Sequence, residues 1–169
     1  MMKKFIKGKA AVFIDAANVL YSQKALGWRV DYIKLKRYFE MQCTLVHIAF
    51  YTGKVGAHEK QQKFLNKLSE EDIVVVSKEV KFIKIDGGKL LPKGNLDVEL
   101  ALDAFSRESQ FDTLILFSGD SDFAHLLDLL KRKGKQVIVV STRNHISREL
   151  IERAKFIPLD KLREYMEYK

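Results

Sequence analysis

Short unbroken apolar runs alternate along this chain with stretches whose apolar residues recur at helical spacing. Residues 9–14, 44–51, 73–77, 113–117, 136–140 and 156–158 form the runs, each of strand length. A strand that is apolar on both sides suits the middle of a parallel sheet, covered above and below. Residues 31–41, 58–68, 96–106, 122–133 and 147–154 show the helical period, and further helices start at Ala16 and near Asp160. Asp31 is placed to cap the first of these, and Phe123, Leu126, Leu127 and Leu130 mark the buried stripe of another. Strand and helix in strict alternation predict an α/β fold: a parallel sheet, right-handed crossovers and helices on both faces. One stretch departs from this rhythm. Residues 81–86 alternate, Gly87-Gly88 follows and residues 89–91 resume, which predicts a small β-hairpin insertion closed by a two-residue turn.

Length changes the picture little: 169 residues suit a single domain, 1–169, with its core at about 9–162. With 47% hydrophobic and 31% charged residues the chain should be globular and soluble. No apolar run approaches bilayer length, so no membrane partner is expected. The basic start is followed by only residues 10–14 before Asp15 interrupts, too short for a signal-peptide core. The single cysteine, Cys43, excludes an internal disulfide and a cysteine-built zinc site, and cytoplasmic residence follows as the expectation.

Charge is more informative. The net charge is +8, yet residues 95–130 hold eight acids against Arg107 alone, so the remainder carries +15. A basic shell around an acidic middle matches a polyanion held near bound cations. Lys81, Lys84 and Lys89 of the hairpin, with Lys93 and Arg143, flank the acidic stretch and are the candidates for holding such a backbone. Basicity for solubility alone is the plain alternative, and the weaker of the two readings.

The acids concentrate where a strand hands over to a helix. Ser118-Gly119-Asp120-Ser121-Asp122 follows the run 113–117, and in open α/β sheets ligands bind outside the carboxyl ends of strands. The plain alternative is that Ser121 or Asp122 caps the next helix. Asp15 ends the first strand, with Asn18 one turn further on and able to face the same space. Asp97 lies in the first turn of its helix; Asp103 is six residues later and cannot aim squarely at the same point, so it ranks second. Arg143 follows the fifth strand. Convergent carboxylates repel one another unless protonated or neutralised, and magnesium or manganese, which prefer carboxylate and water oxygens, resolve that conflict. One or two such ions would activate water and clamp the oxygens of a phosphodiester, with Asn18 and Ser118 positioning ligands around them. The four histidines are scattered, and His47 within a strand reads as structural. No Walker-type phosphate loop is present. Trp28 and Tyr32 suit either base stacking or ordinary packing, with packing the stronger expectation.

At these residues the chain resembles a known family. Phe13-Ile14-Asp15-Ala16-Ala17-Asn18, Lys93-Gly94-Asn95-Leu96-Asp97 and Ser118-Gly119-Asp120-Ser121-Asp122-Phe123 are similar to the three signature blocks of LabA-like NYN domains, within the PIN nuclease superfamily. The resemblance implies a PIN-like, Rossmann-like sheet and a magnesium- or manganese-dependent ribonuclease site, with RNA as partner. By matching position, Asp15, Asp97, Asp120 and Asp122 would be the acidic group, with Asn18 beside Asp15. A metal-dependent ribonuclease is the first reading. The alternative is a non-catalytic RNA-binding or regulatory module that keeps the acidic pocket. A receiver-like phospho-acceptor ranks below both, because Asp15 stands alone and Arg143 occupies the region where such a domain carries lysine. Self-association is left open, with a homo-oligomer as one option.

Overall fold

The computed structural model describes residues 2–56, 58–84 and 88–169, with backbone alone over 90–93. Six strands form one parallel sheet: β1 (Lys9–Asp15), β2 (Thr44–Lys54), β3 (Val74–Glu79), β6 (Thr113–Phe117), β7 (Gln136–Ser141) and β8 (Lys155–Pro158), in the order β3-β2-β1-β6-β7-β8. The helices are α1 (Ala16–Leu26), α2 (Tyr32–Gln42), α3 (Glu59–Glu70), α4 (Asp97–Ser106), α5 (Ala124–Arg132), α6 (Arg148–Arg153) and α7 (Arg163–Met166).

The sheet divides two cores. Ala10, Val12 and Ile14 of β1 turn to one side and pack with Leu35 and Phe39 of α2 and Leu65 and Leu68 of α3. Ala11 and Phe13 turn to the other side, toward Leu100 and Ala104 of α4 and Leu127 and Leu130 of α5. β6 and β7 split in the same way, which is why their runs are apolar without alternation. Burial of this kind is strong: replacing a fully enclosed ring such as Phe39 with alanine would cost about 3–5 kcal/mol.

Topology then positions the site. From β1 the chain steps outward to β2 and β3 over one face, and from β6 outward to β7 and β8 over the opposite face. Right-handed crossovers require the covering helices to change face when the direction of travel reverses. β1 and β6 are neighbours, with Ile14 beside Phe117, so the reversal falls between them and opens a crevice at their carboxyl ends.

The predicted hairpin is present as β4 (Lys81–Lys84) and β5 (Leu90–Lys93), antiparallel, with Lys84 opposite Leu90. The expected two-residue turn cannot be followed further, because residues 85–87, including Gly87 of the expected Gly87-Gly88 turn, lie outside the described residues. The hairpin's base is clamped to the end of β2. A Cβ on Gly53 or on Gly94 would meet Val80 Cγ2 at 2.7 Å, so both positions need glycine for this close approach. The expected helix over 122–133 divides into a 3-10 turn, Ser121–Phe123, and α5, because Asp120 caps the tight turn rather than the longer helix. The final helix likewise begins as a 3-10 turn, Leu159–Leu162, before α7. Among the described residues no helix is long and apolar enough to cross a membrane.

Candidate metal centre

Asp15 is the last residue of β1 and the cap of α1, its Oδ1 accepting from the Asn18 amide at 3.2 Å. Its Oδ2 accepts from the Ser118 hydroxyl at 2.9 Å, and that hydroxyl accepts from the Asp120 amide at 3.2 Å. Asn18 Oδ1 accepts from the Gly119 amide at 2.9 Å and from Ser141 Oγ at 3.4 Å. Asp15 and Asn18 therefore stitch the start of α1 to the loop after β6. Gly119 is hemmed in on its other side: a Cβ there would collide with the His145 carbonyl and with Ser141 Oγ. The Ser147 amide also donates to the Gly119 carbonyl at 2.9 Å.

Asp120 and Asp122 stand just beyond. Asp120 Oδ1 accepts from the Asp122 amide at 3.0 Å, so Asp120, rather than Ser121 or Asp122, is the cap. A carboxylate has two oxygens, and capping leaves one for other work. Asp97 arrives from the opposite direction, at the start of α4, where Asn95 Nδ2 donates to its Oδ2 at 2.7 Å. Asp97, Asp120 and Asp122 each bring one carboxylate oxygen within 4.8 Å of the others. Asp15 borders this triad closely enough for its charge to bear on Asp97.

Asp103 does not join them. It faces β2, where the Tyr51 hydroxyl donates to its Oδ2 at 2.9 Å. His47 packs against Phe13 with ring centroids 5.3 Å apart, the structural role expected of it. Trp28 and Tyr32 lie within the core, as the packing expectation had it. Arg143 is exposed in the turn after β7, at the same edge of the sheet as the acids. Lys81, Lys84 and Lys89 are exposed on the hairpin; Lys93 pairs with Lys81 through its backbone, and its side chain lies outside the described residues.

Residues 9–160 match the NYN domain family. The chain belongs to the NYN-domain family. NYN domains fall within the PIN-like nuclease superfamily, are generally nucleases and typically use divalent metals. This NYN chain is 33% identical over 168 residues to the Low amplitude and bright protein LabA of Synechococcus elongatus, covering 96% of this chain and 90% of that one. The crystal structure of a protein of unknown function from Vibrio parahaemolyticus superposes with a TM-score of 0.78 at 27% identity, covering 95% of this chain and 96% of that one.

Electrostatics in the NYN acidic group follow from crowding. Burial, and then the negative charges of Asp15, Asp120 and Asp122, push Asp97 up to about 6, against the pull of the Asn95 hydrogen bond. Burial also raises Asp15, opposed by its bonds from Asn18 and Ser118 and reinforced by the charge of Asp120. The triad supplies carboxylate oxygens, with no histidine or cysteine among the described residues of the group. Such a donor set fits magnesium or manganese and suits zinc poorly.

Sequence reasoning missed what lies beside the acids. A cleft of about 1210 Å³ opens from Asp15, Asp97 and Asp120 and runs between α1 and α3. Phe64 and Tyr21 line it and are 39% and 60% exposed; Arg29, Lys24 and Lys67 line it too. A faint signal was available: Leu65 and Leu68 already provide the buried face of α3, so Phe64 is one large apolar residue more than that face needs.

Proposed function

We propose that this NYN domain is a magnesium- or manganese-dependent ribonuclease that hydrolyses RNA phosphodiester bonds at the acidic group. The observation that carries the reading is the convergence of Asp97, Asp120 and Asp122 within 4.8 Å at the point where the sheet reverses direction. Three like charges this close are costly unless something positive binds between them. Asp97, Asp120 and Asp122 would hold the cation, with Asp15 at its border. A divalent ion bound there supplies a water of lowered pKa and stabilises charge on the leaving oxygen.

The remaining work belongs to the chain's own side chains. Ser118 fixes the rotamer of Asp15 and the amide of Asp120 together, so the two carboxylates keep their relative position. Asn18 holds the Gly119 amide and so ties the acidic loop to the start of α1. Lys81, Lys84, Lys89, Lys93 and Arg143 are assigned to the RNA backbone, whose charge they offset as it approaches an acidic centre. Purified protein incubated with end-labelled RNA should cleave it with manganese or magnesium and leave it intact with chelator. Intact RNA under every metal condition, with a folded protein, would remove the catalytic assignment.

A further inference from the structure

Two largely buried polar side chains in the cleft have no hydrogen-bond partner among the described residues. Trp28 is 5% exposed and Tyr32 is 7% exposed, and both line the cleft that opens from Asp15. Among the described residues neither the Trp28 indole N–H nor the Tyr32 hydroxyl has a hydrogen-bond partner, while neither atom is sealed from solvent. Buried polar groups nearly always find partners, in the protein or in ordered water, so two that meet only solvent in one cavity can exchange that water for a ligand. Their chemistry is specific: the indole only donates, and the phenol donates or accepts.

The walls around them are aromatic. Tyr32, Phe50 and Phe64 form an edge-to-face cluster, with centroids 4.7 Å apart for Tyr32–Phe50, 6.0 Å for Tyr32–Phe64 and 5.8 Å for Phe50–Phe64. Phe64 keeps 39% of its surface open. Cations ring the mouth: Arg29, whose guanidinium lies 5.5 Å from the Tyr168 ring centroid, with Lys24 and Lys67. A flat heteroaromatic group with edge donors and acceptors, tied to an anion, matches all three features.

We propose that the cleft is a nucleoside subsite, which takes one unpaired nucleotide of the RNA next to the bond at the acidic centre and reads its base through the Tyr32 hydroxyl and the Trp28 N–H. The occupant rests on the ribonuclease reading above, since an RNA strand at the acids passes the cleft mouth. Its base must be unpaired to enter, so the subsite selects single-stranded segments. The Tyr32 hydroxyl is a specificity-determining group here, and Phe64 is the stacking surface.

Trp28 is the chain's single tryptophan, so its emission reports on the cleft directly. With chelator present and excitation at the red edge of tryptophan absorption, the protein is titrated with each ribonucleoside 5′-monophosphate, then with a single-stranded RNA decamer and the same decamer in duplex. The expected result is a saturable change with at least one monophosphate, the same change at lower concentration with the single strand, and none with the duplex. Tyr32→Phe should weaken the preferred nucleotide by about tenfold while leaving the melting temperature equal or higher, because the lost hydroxyl had no partner. Phe64→Ala should weaken all four nucleotides by about tenfold or more through lost stacking. Absence of any emission change, or unaltered affinity in Tyr32→Phe, overturns the subsite. A response without cleavage would thus retain the subsite and reject the nuclease, while cleavage without a response would do the reverse.

Discussion

Asp120→Asn tests the acidic centre most sharply, because it separates charge from shape. Asparagine keeps the oxygen that accepts from the Asp122 amide at 3.0 Å, and it is itself a good cap, so the 3-10 turn should persist. What disappears is one negative charge within 4.8 Å of the carboxylates of Asp97 and Asp122. At that separation each pairwise repulsion is worth about 1 kcal/mol in bulk water and about 3.5 kcal/mol at an effective dielectric near 20. Without metal the variant should therefore be at least as stable as wild type, and RNA should bind as well or better. With manganese the same charge is an attraction lost, and cleavage should fall by about two orders of magnitude or more, equivalent to roughly 3 kcal/mol of barrier. Melting temperature, chelator-phase RNA affinity, manganese affinity by calorimetry and cleavage rate measure the four consequences separately. Near-normal cleavage by a folded variant would refute the assignment of Asp120 as a ligand. A collapsed melting temperature would instead make Asp120 a structural cap and nothing more.

The other expectations follow from particular contacts. Since burial and like charges raise Asp97 to about 6 in the folded protein, the native state holds more protons than the unfolded chain between about pH 4 and 6. Metal-free stability should accordingly decline as pH rises through that window and then level off, whereas manganese affinity should rise through pH 6 as the proton leaves; affinity flat across that range would contradict it. Gly119→Ala would drive a methyl group into the His145 carbonyl and Ser141 Oγ, and should cost about 1–3 kcal/mol, or roughly 2–4 °C of melting temperature per kcal/mol. An unchanged melt would show that this loop is slack. Neutralising Lys81, Lys84, Lys89 and Arg143 together should flatten the slope of log affinity against log salt by up to about 3 for single-stranded RNA. An unaltered slope would remove these residues from the RNA path.

Much of the architecture could be read along the chain, because strand burial leaves a local imprint. The runs at 113–117 and 136–140 are apolar at every position or nearly so, and only a strand covered on both faces needs that. Asp15 and Asp31 sit where helices begin and accept from the amides of those first turns, a requirement met within four residues of sequence. The acids of the loop after β6 were legible for the same reason, as too many polar groups for one turn. Asp103 was set apart by rotation alone, since six residues on a helix point elsewhere, and it meets Tyr51.

What the chain could not disclose was who stands beside whom. Periodicity tells which side of an element is apolar and leaves its neighbour undetermined. β6 inserts beside β1, far from it in sequence, and only that pairing brings Ser118 to Asp15 and Gly119 to Asn18. Asp97 joins the triad from α4, a few residues after Gly94 packs against Val80 at the base of the hairpin, and no local pattern encodes either meeting. The cleft is a still more collective property. Trp28, Tyr32 and Phe50 pack as core residues, as their sequence context suggests, and Phe64 joins their ring cluster while staying 39% exposed. Only the assembled fold shows that two of them keep a polar atom with no partner among the described residues in a cavity, because a missing partner is a property of the surroundings and cannot be seen in the residue itself.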